Sequence, residues 1–168
     1  MREMREHRER RREHAGCAVL VTSDTRDERT DETGRRAIQL LEEAGHRVHA
    51  YKIVGNDREA IKEALRKLLS DERVEVIITS GGTGISSKDQ TVEAVMELLE
   101  KRLEGFGELF RRLSYEEIGE AAILSRAMAG TVGRKLIFSL PGSRGAVELG
   151  LKRIILPALG HMLWEVNR

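Results

Sequence analysis

Three times between Ala18 and Leu99 an apolar run of strand length gives way to a loop and then to a segment whose apolar residues recur at helical spacing. That alternation leaves few folds open, because parallel strands need crossover connections and these are right-handed. Ala18-Val19-Leu20-Val21-Thr22-Ser23 is apolar before it turns polar, as expected of a strand covered on both faces. Thr33 to Ala44 follows as a helix with Ile38, Leu40 and Leu41, and stops at Gly45. Val48 to Val54 reads as the second strand, and Arg58 to Leu69 as a helix with Ile61, Ala64, Leu65, Leu68 and Leu69 on one face. Val74 to Thr79 is the third strand; Gln90 to Leu99 is its helix, with Val92, Val95, Met96 and Leu99 inward. A helical stretch from Tyr115 to Ser125 precedes two short strands, Ala129–Val132 and Lys135–Ser139, whose Gly133-Arg134 turn predicts a hairpin. The fold expected is a three-layer α/β/α sandwich on a mostly parallel sheet with one antiparallel strand. A last helix begins at Ala146 and must kink or restart at Pro157.

Length and composition fit one such domain. The 168 residues suit a single core, and 40% hydrophobic residues with only 4% aromatics mean that Leu, Ile, Val and Ala build it. Residues 15–168 form that domain. Residues 1–14 carry six Arg and four Glu and read as a solvated, helical or disordered extension. Basic and acidic residues nearly cancel, 29 against 28, which gives no reason to expect nucleic acid as a partner. No uninterrupted apolar run reaches membrane-spanning length. The single cysteine, Cys17, lies in a strand; with no disulfide or thiolate cluster to form, a reducing cytoplasmic setting is expected. Asn and Gln are scarce and charged residues make up 34%, a balance associated with proteins of high-temperature organisms. The five histidines show no metal-ligand spacing and are expected at the surface.

In open α/β sheets, ligands bind beyond the carboxyl ends of the strands. The segments there are Ser23-Asp24-Thr25, Asn56-Asp57, Ser80-Gly81-Gly82-Thr83-Gly84 with Ser86 to Asp89, and Ser139-Leu140-Pro141-Gly142-Ser143. The glycine loop lets backbone N–H groups approach an anion and leads into a helix, so it predicts a phosphate site; it matches neither GxxxxGK[ST] nor GxGxxG. Asp57 and Asp89 each precede a helix, where capping is the alternative role. For Asp57, an Asn56/Glu59 capping pair would release the carboxylate toward the ligand edge. Two carboxylates beside a phosphate cradle suit Mg²⁺-nucleotide chemistry. With no nucleophile or histidine base in view, a substrate that brings its own nucleophile is expected, as in phosphoryl or nucleotidyl transfer.

Ser23-Asp24-Thr25 with Asp31-Glu32-Thr33-Gly34, Thr79 to Ile85 with Lys88-Asp89-Gln90-Thr91, Glu104 to Glu108, Leu124 to Ala127 and Leu140-Pro141-Gly142-Ser143 together resemble the pattern of the MoaB/MogA family of molybdenum-cofactor biosynthesis proteins. The resemblance spans about Gly16 to Val166, and Glu104 to Arg126 looks closer to the MoaB branch. It implies adenylylation of molybdopterin by ATP and Mg²⁺, with Asp57 and Asp89 as the catalytic and metal-binding pair. Ser23, Asp24, Ser80, Gly81, Gly82, Thr83, Gly84, Ser139, Pro141, Gly142 and Ser143 would hold nucleotide or pterin phosphate. It further implies a homotrimer or homohexamer, an assembly to which an apolar Ile154–Trp164 segment would contribute surface, and transient contact with other proteins of the pathway. A non-catalytic molybdopterin or nucleotide carrier is the alternative, and a pyrophosphatase of the competence-damage type is a third reading, for which no second domain is present.

Overall fold

The computed structural model describes residues 13–168, so all but the last two residues of the charged extension lie outside the described part. Strand β1 (Gly16–Thr22) leads to helix α1 (Glu32–Glu43), β2 (Arg47–Val54), α2 (Arg58–Ser70), β3 (Val76–Ser80) and α3 (Thr91–Leu98). These are the three strand-helix units expected. A two-residue β4 (Lys101–Arg102) then precedes α4 (Glu104–Ile118), a 3₁₀ turn at Gly119–Leu124, and the hairpin β5 (Met128–Val132) and β6 (Lys135–Leu140). The chain ends with α5 (Arg144–Leu149), a π-helical turn at Gly150–Ile155 and α6 (Leu156–Asn167).

The strands form one sheet in the order β2-β1-β3-β6-β5-β4. β1 pairs in parallel with β2 and β3, β3 with β6, and the remaining two pairings are antiparallel, so β5 alone runs against the other strands. Strict alternation persists inside β1 although it is buried throughout. Cys17, Val19 and Val21 face one layer with Leu40, Leu41, Phe110, Phe138 and Leu159, whereas Ala18 and Leu20 face the other with Ile61, Leu65, Ala94 and Val95. Helices α1, α4, α5 and α6 thus cover one face, and α2 and α3 the other. From β1 the chain steps outward to β2 and then returns across β1 to β3, so the loops after β1 and β3 diverge and leave a crevice between them.

Four expectations need correction. The helix placed at Tyr115–Ser125 starts eleven residues earlier and stops at Gly119, whose φ of +66° a helix cannot include. Met96 points outward, at 39% exposure, because α3 ends at Leu98 and only its Thr91, Val92, Ala94 and Val95 are buried. The Ile154–Trp164 segment is only partly free surface: Ile154, Ile155, Leu159 and Leu163 are packed in the chain's own core, while Pro157 is exposed and Leu156, Met162 and Trp164 are half-buried. The π turn directly before Pro157 accommodates a ring that would strike the carbonyl four residues back in a regular helix. His46, expected at the surface, is half-buried and accepts the Ala15 N–H at 3.1 Å through Nδ1, and burial lowers its pKa. No helix of the described residues is long and apolar enough to cross a membrane.

Candidate functional site

The glycine loop sits at the crevice because its backbone does what side chains would prevent. At Gly81, φ is +99° and a Cβ would lie 2.4 Å from the Thr22 carbonyl oxygen; at Gly82, φ is +68° and a Cβ would lie 2.2 Å from Thr91 Oγ1. This close approach lets Gly81 N–H donate to Leu140 O at 3.0 Å and Thr91 N–H donate to Gly82 O at 3.1 Å, while the Thr91 hydroxyl donates to Thr22 Oγ1 at 3.0 Å. Loop, β1, β6 and α3 are thereby stitched together. Arg126 holds the other side: its N–H donates to Thr83 O at 3.1 Å, Nε donates to Gly84 O at 2.9 Å, and Nη1 pairs with Glu93, whose carboxyl it holds below the usual range. Within the hydrogen bonds of the described residues, no acceptor takes the N–H of Gly82, Thr83 or Gly84. Such N–H groups are what an anion binds.

A cavity of about 330 Å³ opens over the loop. Its walls are Gly81 to Gly84 with Asp89, the Pro141-Gly142-Ser143 turn, and apolar Ile118, Ala121 and Leu124 from the end of α4 and the 3₁₀ turn. Of the site residues expected from sequence, Gly81 to Gly84, Asp89 and Pro141 to Ser143 line the cavity, and the apolar wall adds residues not expected there. Ser80 and Ser139 do not line it. Both are fully buried, Ser139 Oγ accepts from Thr79 Oγ1 at 2.9 Å across two central strands, and Ser80 Oγ donates to Pro141 O at 3.3 Å. Strand β6 runs one residue further than expected, which keeps Ser139 inside the sheet. Ser143 lines the rim and caps α5, accepting the Ala146 N–H.

The carboxylates divide by what holds them. Asp89 closes its own turn, accepting the Ser86 N–H at 3.0 Å, and a Cβ on Gly84 would stand 2.7 Å from its Oδ2. Helix α3 begins after it, with no side-chain cap, so Asp89 is not a cap. Asp57 is one: it accepts the Ala60 N–H at 2.8 Å as the N-cap of α2, and it does not line the cavity. The capping pair expected from Asn56 and Glu59 does not form, because Asp24 claims Asn56. Asp24 accepts the Asn56 N–H at 2.8 Å and its Nδ2 at 3.3 Å, bonds that keep the Asp24 carboxyl below the usual range. Ser23 likewise serves the loop, accepting the N–H groups of Thr25 and Arg26.

Asn56 was missed as more than a cap. With Nδ2 fixed on a carboxylate that can only accept, its Oδ1 is turned inward, buried and without a partner, 3.1 Å from where a Cβ of Gly82 would be. Its only sequence signal is position, two residues past the end of a strand. Arg126 gave a signal only through the family pattern. Cys17 is inert: burial, reinforced by Glu75, pushes its thiol up to about 12. Among the described residues no group of three or more His, Cys, Asp or Glu is placed to hold a metal.

Residues 18–161 match the family model described as a probable molybdopterin binding domain. The chain belongs to the MoaB/MogA family. A molybdenum cofactor biosynthesis protein B of Bacillus cereus is 49% identical over 164 residues, which cover 97% of each chain. Among solved structures, a molybdenum cofactor biosynthesis protein B superposes with a TM-score of 0.90 at 51% identity, covering 92% of this chain and 97% of that one. The tungsten cofactor synthesizing protein MoaB from Pyrococcus furiosus follows at 0.84 and 36% identity, covering 94% and 99%. The family's role, and so this chain's, lies in molybdenum cofactor biosynthesis.

Proposed function

We propose that this chain adenylylates molybdopterin: a terminal phosphate oxygen of molybdopterin attacks the α-phosphorus of ATP, the bond from that phosphorus to the pyrophosphate oxygen breaks, and adenylylated molybdopterin and pyrophosphate leave. The observation that carries this reading is the glycine loop, with three successive N–H groups that have no acceptor among the described residues and a wall of the cavity built from them. These donors would hold phosphate oxygens where charge is redistributed in the transition state. Both substrates bring reacting oxygens, so the protein has chiefly to position them and stabilise charge.

The carboxylates fit Mg²⁺. Neither Asp57 nor Asp89 is within ion-pair distance of a Lys or Arg among the described residues, and each spends one oxygen on a single backbone N–H. Two such carboxylates with phosphate oxygens and water make a hard, oxygen-only set. When bound, the ion would supply neutralising charge to the phosphates. Asp24 and Asn56 would keep the loop beside Asp57 in place.

The apolar wall of Ile118, Ala121 and Leu124 suits a flat heterocycle next to the phosphate cradle. We further place the reaction in the cytoplasm and the chain in a homotrimer or homohexamer. Exposed Tyr115, Ile118 and Ile123, at 63, 58 and 81%, support the assembly more than the largely packed C-terminal segment does, and sedimentation at micromolar concentration tests it.

The carrier reading draws on one observation, the use of Asp57 as a helix cap. A single assay separates the two: the purified chain is incubated with ATP, MgCl₂ and molybdopterin, and the products are separated. Mg²⁺-dependent adenylylated molybdopterin with equimolar pyrophosphate is the expected result. Binding of both substrates without product would establish the carrier.

A further inference from the structure

We propose that Arg26 is a phosphate-binding residue of this cavity and that buried Asp31 is the residue that positions it. The inference rests on the reading of the cavity as a phosphate-handling site, and names a cation that reading lacks. Of the basic residues nearby, Arg126 is neutralised by Glu93, Arg111 donates to the carbonyls of Ser125 and Ala127, and Lys88, in the loop before Asp89, faces the Asp24 carboxylate.

Arg26 leaves the loop after β1, a loop whose course is fixed by Ser23 Oγ and by Asp27, which accepts the N–H groups of Arg29 and Thr30. Its Nη1 donates to Thr33 Oγ1 at 2.9 Å and to Gly142 O at 3.2 Å, so the guanidinium is pinned to the turn that forms the cavity rim. Only that nitrogen is used. Among the described residues, Nε and Nη2 have no acceptor, and the side chain remains 38% exposed. A guanidinium anchored by one nitrogen, with two donors left on its planar fork, is suited to grip phosphate oxygens in pairs.

Asp31 explains the anchoring. As the N-cap of α1 it accepts the Gly34 N–H at 3.1 Å, a task that Ser or Asn performs as well. It does more than cap. It is wholly buried and also accepts from Thr33 Oγ1 at 3.1 Å and from the Tyr51 hydroxyl, whose pKa is raised by burial and then by this bond. Gly34 makes room for this arrangement, since a Cβ there would lie 2.1 Å from Asp31 Oδ2 and 2.9 Å from the Tyr51 ring. A carboxylate at such depth is costly unless its charge is compensated. Arg26 Nη1, 4.0 Å from Asp31 Oδ1, is the cation that compensates it, with the Thr33 hydroxyl bridging the two. Tyr51, Asp31, Thr33, Arg26 and Gly142 thus form a chain from β2 to the rim.

The phosphate could belong to the nucleotide or to molybdopterin. The test therefore measures both, using the full chain and the variants Arg26→Ala, Arg26→Lys and Asp31→Asn, with KM for MgATP and for molybdopterin determined separately and MgATP binding followed by calorimetry. Arg26→Ala should raise the constant of one substrate by about tenfold or more with a smaller change in kcat, and the substrate affected identifies the phosphate. Arg26→Lys should recover part of the loss. Asp31→Asn should raise the same constant by a smaller factor and add nothing in the Arg26→Ala background, a non-additivity that a merely structural role would not give. If Asp31→Asn does not fold, Tyr51→Phe tests the same link. If the wild-type chain binds its substrates and Arg26→Ala leaves both constants within twofold, the proposal is wrong while the function stands. If the wild-type chain binds neither, the function fails and the proposal falls with it.

Discussion

Helix α2 has an aspartate at each end, and the two are used in opposite ways. Asp71, at the carboxyl end, takes the N–H, Nε and Nη2 of Arg73 at 3.0, 3.0 and 2.7 Å, and its own carbonyl receives Lys135 Nζ at 2.7 Å. Those bonds from Arg73 hold the Asp71 carboxyl well below the usual range. Asp57, at the amino end, has one backbone N–H and, among the described residues, no paired cation. The same contrast runs across the sheet. At the amino edge, Gly16 N–H is met by Glu75 at 3.0 Å and Ala15 N–H by His46. At the carboxyl edge, the Asn56 Oδ1 and three glycine-loop N–H groups have no partner among the described residues. A polar group that closes a network holds the fold; one left open at a crevice is free for a ligand.

Breaking the open side should cost catalysis and little stability. Asp89→Asn and Asp57→Asn are each expected to lower adenylyl transfer by about a hundredfold or more with Tm nearly unchanged, because an Asn amide oxygen can accept the same backbone N–H, from Ala60 at the α2 cap or from Ser86 in the Asp89 turn, but offers no charge to Mg²⁺. Unchanged turnover in both would remove them from the site. Asp71→Asn should do the reverse, lowering Tm while leaving kcat and both KM values as they were.

Changing the glycine loop should cost both. Gly82→Ala places a Cβ in the left-handed region, at about 1–2 kcal/mol, and drives it against Thr91, for about another 1–3 kcal/mol of overpacking. Denaturant unfolding should show that loss, along with weaker nucleotide binding. Gly105 is the control: a Cβ there meets nothing within 4 Å. In the first turn of α4, Gly105→Ala should be neutral or stabilising by up to about 1 kcal/mol.

The smallest effect belongs to the closed side. Burial depresses the His46 pKa, so the unfolded chain binds the proton more readily than the folded one. The stability linked to neutral His46 should therefore be complete above about pH 6.5 and fall away as pH drops through the lower folded value. Melting curves between pH 5 and 8 should show it, and His46→Gln should flatten the dependence.

What the sequence revealed and what it hid follow the same division. The central strands were legible because continuous apolar runs with polar ends need no partner to be recognised, as in Ala18–Val21 and β3. The glycine loop and the Pro-Gly-Ser turn were legible because their backbone demands are local. Helix α4 was half hidden: Gly105 and Gly107 blur its first turn, and Gly107 is required because a Cβ would meet the Ala127 carbonyl at 2.7 Å. The Asn56/Glu59 cap fails because a residue 32 positions before Asn56 takes that side chain, which leaves Asp57 to cap α2, and no local capping rule registers such a contact. Ser139 was placed in the pocket because nothing local shows that β6 runs on to Leu140. The apolar C-terminal segment looked like an interface because only the fold shows that Leu159 and Leu163 are covered by their own chain.

We infer that the open edge binds phosphate and the closed edge does not. Hydrogen–deuterium exchange of the full chain, with and without saturating MgATP, compares the two edges in one experiment. Slowed exchange should appear at Gly82 to Gly84 and around Gly142–Ser143, with none at Ala15–Gly16 or Arg73–Glu75. Unchanged exchange in the glycine loop when MgATP is bound, or protection confined to the amino edge, would show that the phosphate binds elsewhere.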